Sequence, residues 1–275
     1  MTTSEKPWIF FPRPNPLARL RLFCFPYGGA GASVFRRWPD GLPQFVEVSA
    51  IQLPGRENRF RETPFTEIPR LVRSLTDVLS PYLTLPYAFF GHSLGAIIAF
   101  ELARQLRREK APGLLHLFVS GKRAPQVPHS LPPIYQLPDK EFVETIHRRY
   151  EGIPQAILQD PEVMQVFLPV LRADLSMNDT YIYAEGNPLD CPISCFGGLE
   201  DSEVTEEGLL AWRVQTHSSF SLRMIPGNHF FIQSASAHLL QALSEDLIQI
   251  GSPTDAKYSE QGNPSRSILN QINLH

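Results

Sequence analysis

The chain has 275 residues, a formal net charge of −3, and 43% hydrophobic against 19% charged side chains. That balance suits one sizeable core and excludes a collagen-like or disordered chain, because its 17 Gly and 26 Pro fall without a repeating period. The near-neutral charge gives no overall pull toward nucleic acid, and no apolar run is long enough for a membrane span.

In chain order, the first fifteen residues lack a charged start followed by an apolar stretch, so no secretory leader is expected. Residues 20–25, 46–53, 87–90, 115–119, 191–196 and 219–225 read as short apolar strands, most closed by a turn. Helices are expected over 68–79, where apolar residues fall at helical spacing, over 94–106, and over 232–248. Strands alternating with helices imply right-handed βαβ units and a mostly parallel sheet covered on both faces. The fold class is therefore α/β. Residues 125–190 break the rhythm: helical pieces at 139–150 and 161–183 suggest a lid inserted into a single domain spanning 1–251. The polar stretch 252–275 is expected to be a disordered tail. Cys24, Cys191 and Cys195 are too few for a disulfide framework and form no zinc pattern. A soluble, cytoplasmic, metal-free protein is the expectation.

Gly91-His92-Ser93-Leu94-Gly95 follows an apolar strand and opens a helix, the setting of a nucleophile elbow. A serine hydroxyl needs a base, and the base needs an orienting acid. Of the histidines after Ser93, only His229 directly follows a late strand, with Gly227-Asn228 to aim it. The acid is assigned to Asp201 after the preceding strand, with its neighbour Glu200 open, and Asp174 and Asp179 in the lid as weaker alternatives. The Leu94 amide and the glycine-rich loop after the first strand would supply the oxyanion donors. Gly28 is the choice there and Gly29 the fallback. Tyr27, Gly29 and Phe230 are candidate substrate contacts. That loop lacks G-x-G-x-x-G spacing and a following Gly-Lys-Ser/Thr, which disfavours a nucleotide site.

Together, residues 24–33, the Leu53-Pro54-Gly55-Arg56-Glu57 turn, the serine motif, Gly198-Leu199-Glu200-Asp201 and Gly227-Asn228-His229-Phe230-Phe231 resemble one family. It is the stand-alone, type II editing thioesterases of nonribosomal peptide and polyketide synthase pathways, within the α/β-hydrolase superfamily. Many members carry Ala where this chain has Gly28. The resemblance implies that Ser93 takes acyl or aminoacyl groups from the phosphopantetheine arm of a carrier protein, with His229 as base and Asp201 orienting it. Water then releases the acid, clearing misprimed or stalled intermediates. It implies no cofactor, since the pantetheine belongs to the partner, and acyl or peptidyl carrier domains as partners. A monomer without nucleic-acid or membrane partners is expected. A serine esterase or lipase, and an idle binding protein on the same scaffold, are the competing readings.

Residues 1–149 carry 20 basic and 12 acidic side chains, residues 150–275 only 5 against 16. Arg56, Lys122 and Arg123 are expected to flank the site mouth and steer an acidic partner. Arg104, Arg107 and Arg108 read as a solvated helix end. Phe142, Ile146, Ile153, Ile157, Val166 and Phe167 either line an acyl pocket or pack the lid.

Overall fold

A computed structural model describes residues 7–128, 131–150 and 161–251. The expected tail at 252–275, His129, and the candidate lining residues Ile153 and Ile157 lie outside the described residues. Strands β1 (Ile9–Phe10), β2 (Leu20–Phe25), β3 (Val46–Ile51), β4 (Tyr87–His92), β5 (His116–Ser120), β6 (Ile193–Gly198) and β7 (Phe220–Ile225) form one sheet ordered β1-β3-β2-β4-β5-β6-β7. From β3 to β7 every pairing is parallel. The two-residue β1, absent from the expectation, adds antiparallel to the edge by pairing Ile9 with Ile51 and Phe10 with Ala50.

The strands read as near-continuous apolar runs because both faces are covered. On one face Phe23, Phe25, Tyr87 and Phe89 meet α1 (Ile68–Leu79) and α2 (Leu94–Arg108). On the other, Leu22, Cys24, Ala88 and Phe90 join Leu239, Leu243 and Leu247 of the closing helix α7 (Ser236–Ile250). Alternate residues of one strand thus feed two cores, each fully buried aliphatic side chain contributing about 1.5–3 kcal/mol. The closing helix starts later than expected: 231–234 form a separate helical turn, α6 (Phe231–Ser234). Earlier in the chain, between β6 and β7, α5 (Glu206–Leu210) opens with Thr205 capping the Gly208 N–H.

The insertion carries α3 (Asp139–Tyr150) and α4 (Pro161–Thr180), close to the expected bounds. It has a core of its own, in which Ile134, Phe142, Ile146, Leu171 and Leu175 pack together. Connectivity places the site. The chain leaves β2 for β3 on one side, then crosses to β4 on the other, so the loops after β2 and β4 open a crevice at the carboxyl ends of the strands. The loop after β2 is residues 26–31 and the loop after β4 is Ser93.

Candidate active site

Ser93 sits at φ 53°, ψ −116° between strand and helix, a left-handed conformation that non-glycine residues adopt only when their surroundings enforce it. The enforcement is visible in the flanking glycines. A Cβ on Gly91 would lie 2.2 Å from the Gly95 carbonyl oxygen, and one on Gly95 would lie 2.2 Å from the Phe25 carbonyl oxygen. Neither position has room for a side chain. The Ser93 N–H donates to the Ser120 carbonyl at 2.8 Å, fixing the turn to β5.

Three of the expected site residues meet here. His229 Nε2 lies 3.0 Å from Ser93 Oγ, and His229 Nδ1 lies 2.7 Å from Asp201 Oδ2. A carboxylate only accepts, so Nδ1 carries the proton and Nε2 offers its lone pair to the serine hydroxyl. The Asp201 side chain is fully buried, and its Oδ1 accepts from the Glu203 and Val204 amides at 2.9 and 3.3 Å. Its orientation is therefore fixed from both sides. Burial sits behind the raised pKa of Glu203 next to it.

The alternative acids are elsewhere. Glu200 is exposed. Asp179 Oδ2 accepts from the Ile134 amide at 2.8 Å, inside the insertion. Asp174 is fully buried in an ion pair with Arg56. A second Ser/His/Asp grouping exists, but at the opposite edge of the sheet. His116 Nε2 contacts Ser194 Oγ at 2.9 Å, and Ser194 Oγ donates to Asp246 Oδ2 at 2.6 Å. There the serine lies between histidine and acid, is buried, and donates to a carboxylate that Arg223 already pairs. That grouping ties β5, β6 and α7 together and presents no nucleophile.

Leu94 opens α2, so its N–H has no intrahelical carbonyl to bond. The Gly29 N–H is already committed, donating to Asp174 Oδ2 at 2.7 Å. That commitment leaves Gly28, the first choice from sequence, as the proposed donor. Tyr27 and Phe230 pack edge to face with centroids 5.2 Å apart, and Tyr27 also meets His92 edge-on at 5.8 Å. Both rings brace the histidine loop. Tyr27 and Gly29 also line a groove of about 610 Å³ with Val34, Phe60, Val166 and Phe167.

Sequence reasoning missed His92. It is completely buried, with Nε2 2.9 Å from the His229 carbonyl oxygen and Nδ1 2.8 Å from Ser120 Oγ. Its signal was its place inside the serine motif. It also misplaced three arginines. Arg56 is buried against Asp174, and Arg104 is buried, donating to Glu101 and to the Ala184 carbonyl. Arg59, three residues on from Arg56, is buried as well, pairing with Glu62 over the face of Trp8. Arg107 is only partly exposed and holds the Pro188 and Asn187 carbonyls. These are structural ties, and an isolated charge in such surroundings would cost far more than a paired one. Lys122 donates to Asn178 Oδ1 instead of facing a partner, and burial pushes its ammonium down to about 7.

The family model for the thioesterase domain matches residues 20–247. The chain belongs to the thioesterase family. It is 43% identical to gramicidin S biosynthesis protein GrsT of Aneurinibacillus migulanus, over 90% of this chain and 96% of that protein. Among solved structures, RedJ, a thioesterase from the prodiginine pathway of Streptomyces coelicolor, is 40% identical with a TM-score of 0.79, covering 86% of this chain and 92% of RedJ. The type II thioesterase BorB from the borrelidin cluster is 32% identical with a TM-score of 0.77, covering 88% and 96%. The α/β-hydrolase fold and thioester-hydrolase chemistry expected from the motifs are those of this family. Among the described residues no helix of this thioesterase is long and apolar enough to cross a membrane.

Proposed function

We propose that this thioesterase removes acyl or aminoacyl groups from the phosphopantetheine arm of carrier-protein domains in nonribosomal peptide or polyketide assembly, acting as an editing enzyme. The observation that carries the chemistry is the unbroken contact from Ser93 Oγ through His229 to Asp201, at 3.0 and 2.7 Å. The relatives named above support the pathway. The protein works in the cytoplasm, as a monomer and without a cofactor of its own.

In this reading Ser93 Oγ attacks the thioester carbonyl carbon while His229 Nε2 takes the hydroxyl proton. The carbonyl oxygen gains the negative charge, and the Gly28 and Leu94 N–H groups receive it. Collapse breaks the C–S bond, and the departing pantetheine thiolate takes the proton from His229. A water, deprotonated by the same nitrogen, then attacks the acyl-serine ester; the bond from the acyl carbon to Ser93 Oγ breaks, Oγ takes the proton back from His229, and the acid is freed. Asp201 stabilises the imidazolium in both halves.

The test is parallel turnover of acylated carrier protein, acyl-pantetheine and the matching oxyester. The carrier-bound thioester should give the highest kcat/KM. A hundredfold preference for the oxyester would replace the proposal with an esterase reading.

A further inference from the structure

The loop that holds Gly28 is gripped by the helical insertion. Asp174 projects from α4 and is 0% exposed, and Arg56, in the turn after β3, is 6% exposed. Arg56 Nη1 and Nη2 donate to Asp174 Oδ2 and Oδ1 at 2.5 and 2.8 Å. The same guanidinium donates to the Ala30 carbonyl at 3.2 Å, and its Nε donates to the Pro54 carbonyl at 3.2 Å. Asp174 Oδ2 also accepts the Gly29 N–H at 2.7 Å. Both members of the loop's centre, Gly29 and Ala30, are thereby tied to one buried ion pair.

Gly29 itself stands at φ +82°, and a Cβ there would meet Phe167 of α4 at 3.0 Å. The loop is shaped to lie under the insertion helix. Its far end is fixed independently, since the Ala32 N–H donates to Gln52 Oε1 at 2.9 Å. The near end is held by Tyr27, packed on Phe230 and His92, so the direct polar tie between α4 and the middle of the loop is the Gly29 N–H bond to Asp174, next to the Gly28 amide. Pro169 lies inside α4 upstream of Asp174, where it lacks the N–H of a regular helix and weakens one turn. Charge-assisted, bidentate bonds are the strong and directional ones, so the seat is specific to this placement of α4.

We propose that Asp174 is a positioning residue: seated with Arg56, it holds the Gly28–Gly29 backbone from the insertion, so the oxyanion donor is in place only while α4 is docked. The proposal rests on Gly28 being that donor. Hydrolytic competence then follows the position of the insertion, and a substrate that keeps α4 from seating is bound but turned over slowly.

The test compares two ketones of equal chain length on the full protein. Ser93 Oγ adds to the carbonyl carbon of a trifluoromethyl ketone, its proton passing to His229 and the C=O electron pair becoming the oxyanion that Gly28 must meet. The matching methyl ketone binds without forming the adduct. In Asp174→Asn the trifluoromethyl ketone should bind at least tenfold more weakly, with methyl ketone affinity changed less than twofold. Arg56→Lys, which keeps the charge but not the fork, should shift the same ratio in the same direction by less. If Asp174→Asn does not fold, the Arg56→Lys ratio decides. An unchanged trifluoromethyl ketone affinity, or an equal loss for both ketones, overturns the proposal. Because neither ketone contains a thioester or a carrier, the result is separate from the carrier-protein reading, which fails only on the turnover comparison above.

Discussion

His92 Nε2 lies 2.9 Å from the carbonyl oxygen of His229. A carbonyl can only accept, so Nε2 holds the proton and Nδ1 accepts from the Ser120 hydroxyl at 2.8 Å. The residue just before Ser93 thus fixes the backbone of His229, whose ring faces Ser93. Burial, with the nearby His229, pushes the His92 pKa well down and keeps the ring neutral. His92→Phe should lower kcat by about 10- to 100-fold through a small displacement of His229, with KM within about twofold. Steady-state kinetics with a pantetheine thioester would show it. The wild-type pH profile should contain no ionisation belonging to His92. A KM rise with kcat unchanged would contradict the bracing role.

Asp201, the proposed orienting acid, gives a sharper contrast. Asp201→Asn removes the acceptor that fixes the His229 tautomer and should cost roughly 10³- to 10⁴-fold in kcat. Glu200→Gln, on an exposed carboxylate, should leave kcat within about twofold. Asp179→Asn should lower thermal stability without a comparable loss of kcat, because its carboxylate caps the Ile134 amide. Rates measured on the three purified variants separate these cases.

At the opposite sheet edge, His116 predicts an acid sensitivity unrelated to catalysis. Burial depresses its pKa from 6.5 to about 4, with Asp246 opposing and Arg223 adding. A histidine whose folded pKa is lowered binds its proton more readily when unfolded, so stability is greatest above 6.5 and falls as pH drops toward 4. The shift corresponds to roughly 3 kcal/mol once pH is below both values. Urea unfolding at pH 7 and pH 5 should show a smaller difference in His116→Gln than in wild type. Equal differences would mean that this ring does not titrate as described.

Insertion residues should divide into two kinds. Phe142 is fully buried in the insertion's own core, and Phe142→Ala should cost about 3–5 kcal/mol there. Limited proteolysis should then cut the insertion while the sheet core keeps its cooperative melt. Val166 is 58% exposed and, with Phe167, lines the groove beside the oxyanion loop. Val166→Trp should shift acyl-chain preference toward shorter substrates with little change in melting temperature. An unaltered preference across a chain-length series would remove the groove from substrate selection.

Much of this was legible because it is local. Helix α1 matches the expected 68–79, since Ile68, Leu71, Val72, Leu75 and Leu79 form one apolar stripe. Ser93, His229 and Asp201 could be found because each follows a strand end, and parallel strands bring those ends to one edge. The two residues of β1 are too few to show a period. The buried arginines were hidden for another reason. Arg56 is paired with Asp174, 118 positions away, and nothing near Arg56 announces that partner. Counting charges assumes that they face water, and here several do not.

The most direct measurement is intact-protein and peptide mass spectrometry during hydrolysis of an acylated carrier protein, run beside Ser93→Ala. The acyl group should appear transiently on the peptide containing Ser93, and the alanine variant should lose both the adduct and several powers of ten in rate. Hydrolysis that persists in Ser93→Ala, or an adduct on another residue, would contradict the assignment of Ser93 as the nucleophile.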